Sequence, residues 1–285
     1  MKYGIFLPLV DEFVEPSRGL SLAQAAEAAG WDAVFVSDLN EVGTEAPETD
    51  PCIALAAIAA TTSTLRVGLV TPVADRRRPW VLARQSAMVD HLSQGRLTFA
   101  TGVGYASWHK DVSLPGGGPL DEGEEAMTFL FEESLAVLVM CWSGEPIRHD
   151  GIWLHVDSPP LVVTPLQRPR IPVWLTTRWP SRSPLRRAAH LDGILPVFDK
   201  RPNLRVPPEP DQVRSVRENL KQLGTQPNYD VALRGVLGPR WTEQSLDRLR
   251  ALADAGATWW FETVEPDESA SSVFERVAAG PPPNS

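Results

Sequence analysis

The residues best placed to do chemistry stand where short apolar runs stop. Asp38 closes the run from Trp31 to Ser37, and Thr71-Pro72 closes the run from Leu65 to Val70. Gly102-Val103-Gly104-Tyr105 closes the run that begins at Leu97. Thr176, Thr177 and Arg178 follow Ile171 to Leu175, with Ser181 and Arg182 just beyond, and Thr263 to Glu265 close the run from Ala257. This is a set of hydroxyls, carboxylates and guanidinium groups, with two glycines where backbone can approach a ligand closely. Such a set can orient a small molecule by hydrogen bonds and can hold an anion.

The runs themselves must position these groups. Leu65 to Pro72 is apolar and β-branched, so it is expected to be a buried strand. Pro79 is suited to the first turn of a helix, and Val81/Met88 and Leu82/Val89 recur at seven residues up to Leu92. Gln94-Gly95 should stop that helix, and Leu97 to Val103 is the next strand. Strand, basic loop, helix, strand is the crossover a parallel pair requires. The pattern repeats along the chain. Lys2 to Leu9 is a strand, and Leu20 to Ala29 reads as a helix capped through Ser21 and Gln24. Trp31 to Asp38 is a strand, and Asp50-Pro51 opens a helix to Ala60. A helix is expected from Asp121 to Trp142, a hairpin over Ile147 to Val156 turning at Asp150-Gly151, then a proline-punctuated excursion to Arg170. Strands over 171–177, 192–197, 231–237 and 257–264 alternate with helices over 183–190, 211–223 and 242–255. Eight strands alternating with helices predict a (β/α)8 TIM barrel, with function at the strand C-termini. In the last strand, Trp259 and Trp260 should face opposite sides.

Composition narrows the function classes. The chain has 285 residues, near the roughly 250 of one such barrel. Its 27 basic against 36 acidic residues give a net charge of −9, which argues against a nucleic acid or an anionic membrane as partner. No apolar run reaches the roughly 18 residues of a membrane span, and the chain starts directly with a strand rather than a leader. Cys52 and Cys141 lie in apolar helices and read as buried thiols of a reducing compartment. A cytoplasmic protein is expected, with residues 1–279 as one domain and 280–285 as a disordered tail.

The order and spacing of these segments resemble the luciferase-like monooxygenase superfamily over most of the chain. The resemblance rests on Gly4-Ile5-Phe6-Leu7-Pro8, Gly30-Trp31-Asp32, Ser37-Asp38, Asp50-Pro51, Thr71-Pro72 and Arg77-Arg78-Pro79-Trp80. It continues through Leu92-Ser93-Gln94-Gly95-Arg96-Leu97, Gly102-Val103-Gly104, Gln167 to Trp174, and Ala188 to Gly193. It implies a barrel, often dimeric, with an insertion near the strand C-termini and a site there for reduced FMN or the deazaflavin coenzyme F-420. It also implies that the cofactor phosphate sits at Thr176, Thr177, Arg178 and Ser181, where a helix start would add N–H groups. Gly68-Leu69 is expected to carry a cis peptide behind the ring, and Thr71 to face the ring's polar edge.

The chain also departs from the family. Two threonines stand at 176–177 where the most similar subgroup has two glycines. Leu39 follows Asp38 where relatives have a histidine, so proton transfer is not carried over to it. Ser107 stands where the deazaflavin sugar-phosphate dehydrogenases have a glutamate, which argues against that substrate class. Asp38 and Tyr105 are the remaining candidates beside the reacting centre, with Trp108 and His109 as pocket residues. Arg76, Arg77 and Arg78 form a basic cluster that either attracts an anionic cofactor tail or is simply solvated. The expected activity is oxidoreduction of a small organic substrate by a homodimer, with F-420 slightly favoured over FMN. The competing expectation is a degenerate, non-catalytic barrel acting as a binding or accessory protein.

Overall fold

The computed structural model describes residues 1–38, 49–74, 77–103, 124–180, 182–198, 207–238, 241–265 and 268–283. Eight parallel strands close into a barrel. They are β1 (Lys2–Pro8), β2 (Ala33–Ser37), β3 (Arg66–Val70), β4 (Leu97–Thr101), β7 (Val173–Arg178), β8 (Gly193–Val197), β9 (Asp230–Gly235) and β10 (Trp259–Thr263). The closed order is β1-β10-β9-β8-β7-β4-β3-β2. The remaining pair, β5 (Ile147–Asp150) and β6 (His155–Ser158), is an antiparallel hairpin outside the barrel. Helices α1 (Pro16–Ala28), α2 (Pro51–Thr61), α3 (Pro79–Leu92), α4 (Glu124–Ser143), α5 (Arg182–Ala188), α6 (Pro210–Gln222), α7 (Glu243–Asp254) and α8 (Ala270–Ala278) make the outer ring.

The strands read as continuous apolar runs because both of their faces are covered. Alternate residues serve two separate cores. The outward set, with Leu7, Val34, Leu69, Phe99, Leu175, Leu233 and Trp260, packs under the helices. The inward set fills the barrel with Phe6, Ala33, Phe35, Val70, Ala100, Trp174, Leu195, Ala232, Trp259 and Phe261. Trp259 and Trp260 divide between the two as the alternation requires. The interior is aromatic and solid. Phe35 lies 4.5 Å from Phe261 and 5.2 Å from Trp174 between ring centroids, and Trp259 stacks on Phe261 at 5.6 Å. Gly68 makes this possible, since a Cβ there would fall 2.1 Å from the Phe35 ring.

Three polar clasps tie the strand N-terminal end together. Glu27 accepts from the backbone N–H of Ser63, Thr64 and Leu65. Burial would raise its pKa, but those N–H donors outweigh it and hold the carboxyl at about 2. Arg96 donates to Ala59, Thr62, Leu65 and Ser93 carbonyls, which explains a charged residue in the Gln94-Gly95-Arg96 turn. Buried Asp90 receives Leu166 and Gln167 N–H groups and the Gln167 side chain, anchoring the excursion that leads into β7.

Several local expectations change. Helix α1 starts at Pro16 behind Glu15, not at Ser21, because the proline already sets the first-turn φ; Ser21 lies on its exposed side. The hairpin turns through residues 151–154 rather than at a two-residue Asp150-Gly151 turn. The carboxylate of Glu133 on α4 gathers the N–H groups of Ile152, Trp153 and Leu154 and so sets the longer loop. Helix α4 does contain a 19-residue stretch apolar and long enough to cross a membrane, contrary to the sequence expectation. Its apolar side is spent on the barrel: Leu130, Phe131, Leu138 and Trp142 are buried in the outer core. Trp142 Nε1 donates to the Ala83 carbonyl at 3.2 Å and to Ser86 Oγ at 3.1 Å on α3. Residues 104–123, which leave the C-terminal end of β4, lie outside the described residues, so the insertion expected there is not described. At the chain's end, the Gly280 carbonyl accepts from Trp241 Nε1 at 3.0 Å.

Candidate active site

The strand C-termini gather most of the residues singled out from sequence, in two groups facing different ways. The first lies outside the barrel wall. Asp38 is 4% exposed and follows outward-facing Val36. Its Oδ2 accepts from Thr71 Oγ1 at 2.6 Å and from Arg77 Nη1. Arg77 also donates to Asp50 Oδ2 at 2.9 Å. The other oxygen of Asp50 caps α2 by accepting from Cys52 and Ile53 N–H. Burial would raise the Asp50 pKa; the Ile53 N–H and Arg77 overcome that and lower it. Burial pushes the neighbouring Cys52 thiol up to about 12, so it stays protonated and is no nucleophile.

Thr71 thus spends its hydroxyl on Asp38, and Arg77 is an internal bridge rather than a solvated charge or a lure for an anionic tail. Arg78 lies beside the Trp80 ring, 5.9 Å from its centroid, and Arg76 is outside the described residues.

The second group faces the barrel interior. Thr176 shares the inward face of β7 with Trp174, and Arg178 follows two residues on. Thr176 is half-buried and Arg178 is exposed, whereas Thr177, also half-buried, alternates to the outward face that Leu175 shares. Gly102 presses against this strand end. A Cβ on it would meet Thr176 Oγ1 at 2.4 Å and the Thr176 carbonyl at 2.6 Å, so only glycine allows β4 and β7 to close here. The glycine expected to permit close backbone approach does so, towards protein backbone.

Gly68 and Leu69 lie in a regular ladder. Gly68 pairs with Phe35 and Thr98, and Leu69 with Val36 and Phe99. The cis peptides among the described residues are Arg168-Pro169 and Trp179-Pro180, so the expected cis bond at Gly68-Leu69 is absent and the peptide is trans. The physical reason is visible: the uninterrupted register leaves no bulge, and the Phe35 ring occupies the inward side of Gly68. Tyr105, Ser181, Leu39, Ser107, Trp108 and His109 lie outside the described residues.

Two inward residues complete the rim. Arg234 on β9 is half-buried, with its guanidinium 4.8 Å from the centre of the Phe6 ring. Thr263 ends β10, 2% exposed, and its hydroxyl has no hydrogen-bond partner among the described residues. Thr263 was among the strand-end candidates; Arg234 was not. The signal was a charged residue at an inward position of the strand, two after Ala232, which a strand taken to run on to Leu237 obscured. The adjacent Glu262 points outward and is structural: it accepts from Leu237 N–H, Trp260 Nε1 and Arg276. Burial raises its pKa despite Arg276.

The rim is therefore an aromatic floor of Phe35, Trp174 and Phe261 edged by hydroxyls and guanidinium groups. That arrangement suits a planar ring with a polar edge and an anionic tail. A family model described as luciferase-like monooxygenase matches residues 1–272. An F-420-dependent glucose-6-phosphate dehydrogenase of Beutenbergia cavernae is 26% identical, covering 93% of this chain and 85% of the relative. The oxygenase component of a flavin-dependent trigonelline monooxygenase from Acinetobacter baylyi is 28% identical over 61% of this chain and 44% of its own length. Among solved structures, an F-420-dependent secondary alcohol dehydrogenase in complex with an F-420–acetone adduct superimposes with a TM-score of 0.76 at 16% identity, covering 98% of both chains.

Proposed function

The chain belongs to the luciferase-like monooxygenase family, and on that premise we propose that it is an oxidoreductase that binds coenzyme F-420 or FMN in the barrel mouth and acts on a small organic substrate there. The observation that carries this reading is the donor-rich exit of β7 beside an aromatic floor. Half-buried Thr176 and exposed Arg178, on the inward face of the strand end, supply a hydroxyl and a guanidinium fork, a donor set that fits a phosphate, and Thr177 is proposed to add to it from the neighbouring position. Ser181 is proposed to join them. The bound cofactor would supply hydride to or from the substrate, or, as reduced FMN with oxygen, the oxygenating equivalent.

The chain's own residues hold the ring and exclude water. The Gly68–Leu69 strand forms the wall through Phe35, which fills the space at Gly68. Asp38 and Thr71, locked to Arg77, keep the exits of β2 and β3 fixed beneath the loops. Asp38 is proposed to act on substrate only indirectly, by pairing with the loop donor Arg77 and so holding the strand exits in place, and Tyr105 to line the pocket. F-420 is favoured over FMN by the full-length relative that uses it.

A cytoplasmic location is proposed from the two free, buried cysteines. A homodimer is proposed from the exposed apolar side chains of Ile53 on α2 and Val81, Met88 and Leu92 on α3, helices that pack together. Light scattering on the purified protein checks it: a monomer mass would remove the dimer.

Calorimetric titration of wild type and Arg178→Ala with F-420 and with FMN tests the phosphate site. The expected result is at least about tenfold weaker binding of the preferred cofactor by the variant, the loss of one charge-assisted pair. Equal affinities would remove the phosphate from this strand end.

A further inference from the structure

Resting on the oxidoreductase reading, we propose that Thr263 is a ligand-binding position of the mouth, whose hydroxyl pairs with one uncharged carbonyl or hydroxyl oxygen of a bound molecule. Its placement comes from the strand. Trp259 and Phe261 of β10 belong to the core inside the barrel, so alternation turns Thr263 inward as well. Thr263 is the last residue of β10 and stands on the mouth side of Phe261. It is in register with Phe6 of β1, which is in register with Phe35 of β2. The hydroxyl is thus set at a strand exit, where barrels place function, with Phe6 and Phe261 flanking it.

The state of that hydroxyl is the second observation. Thr263 is 2% exposed, yet its Oγ1 has no hydrogen-bond partner among the described residues. Buried hydroxyls are normally paired. The strand end is held and cannot turn to supply a partner. The Thr263 carbonyl accepts from Arg276 Nη2 at 3.4 Å, and the Val264 N–H donates to the Phe6 carbonyl at 2.9 Å. The β-branched side chain is itself restricted at χ1. Valine has nearly the same shape and would suit the flanking rings without an unpaired oxygen. The hydroxyl is therefore a cost to the protein alone, and a ligand that pairs with it removes that cost. Thr71 gives the contrast: at the exit of β3 its hydroxyl already donates to Asp38 at 2.6 Å.

The chemistry of the position selects the ligand. One hydroxyl donates a single hydrogen bond and can accept others, which suits a single neutral oxygen. A carboxylate or phosphate calls for several donors, and Arg234, 4.8 Å from the centre of the Phe6 ring, already has interactions within the protein. The flanking rings favour an apolar carbon skeleton. The oxygen belongs either to a neutral ketone, aldehyde or alcohol substrate or to the carbonyl edge of the cofactor ring, and the test separates the two.

The test compares wild type, Thr263→Val and Thr263→Ser, first without ligand and then by calorimetric titration with F-420, FMN, acetophenone and its alkene isostere isopropenylbenzene. Without ligand, Thr263→Val should melt at or above the wild-type temperature, because it removes an unpaired hydroxyl and keeps the shape. A clearly lower melting temperature would show that the hydroxyl is paired within the protein and would overturn the proposal. Wild type should bind acetophenone at least about threefold more tightly than isopropenylbenzene; Thr263→Val should erase that preference and Thr263→Ser should keep it. A loss of about threefold confined to the cofactor would uphold the pairing and give the oxygen to the cofactor ring. Equal binding, or an equal lack of it, by wild type and Thr263→Val for every ligand would overturn the position. If wild type takes up neither cofactor, the oxidoreductase reading fails, and the acetophenone comparison still decides the role of Thr263.

Discussion

Replacing Gly68 by alanine adds one methyl group to the most crowded point of the barrel interior. The new Cβ would stand 2.1 Å from Phe35 Cδ1, 2.2 Å from Cγ and 2.4 Å from Cε1. The ring has no room to retreat, because Trp174 and Phe261 hold it from other sides. Overpacking of this kind costs about 1–3 kcal/mol. With an unfolding entropy of roughly 2.1 cal/mol/K per residue, a 285-residue domain loses about 1 °C for each ~0.6 kcal/mol. Gly68→Ala should therefore melt about 2–5 °C below wild type by calorimetry. Phe35→Ala alone should cost roughly 3–5 kcal/mol by opening a cavity. In that background the Gly68 methyl enters empty space, so the second substitution should cost nothing or recover stability, a coupling of at least about 1 kcal/mol. An unchanged melting temperature for Gly68→Ala, or the same loss in both backgrounds, would refute the assigned contact and the regular trans strand that imposes it.

Other outcomes follow from the polar clasps. Glu27 has a folded pKa of about 2 against 4.5, so its stabilisation is complete above pH ~4.5 and is lost as pH falls through the folded value. Discounted for partial solvent exposure, Glu27→Gln should cost about 1–2 kcal/mol at pH 7, and the gap to wild type should close towards pH 2–3 in urea melts; a gap independent of pH would contradict this. Arg77→Met strands the buried Asp38 carboxylate and should cost about 3 kcal/mol, with Asp38→Asn added to it restoring part of the loss. A urea midpoint unaffected by Arg77→Met would show that the bridge does not form.

The barrel was legible because strands covered on both faces announce themselves as apolar runs, and because proline and capping residues punctuate the helices. Asp50-Pro51 and Thr242 mark helix starts through chemistry that is local to them. The site was legible in position but less so in partnership. Arg77 looked solvated in sequence because Asp38 and Asp50 stand 39 and 27 residues away, and only the fold brings them to it. Thr71, expected to face the ring's polar edge, also has the Asp38 carboxylate as a partner, which only the meeting of the exits of β2 and β3 reveals. The cis peptide expected at Gly68 depended on what fills the space beside it, and Phe35, from the neighbouring strand, is what fills it. Arg234 needed the register of β9 against β10 before its inward placement had meaning.

The central claim is that this barrel mouth holds a flavin or deazaflavin, and the most direct measurement is a fluorescence titration of the purified protein with F-420 and, separately, FMN, each oxidised and reduced. The account predicts saturable, one-to-one binding of one cofactor at micromolar affinity or tighter, with F-420 preferred. No change with either cofactor in either redox state would contradict it and leave a barrel that serves as a binding or accessory protein.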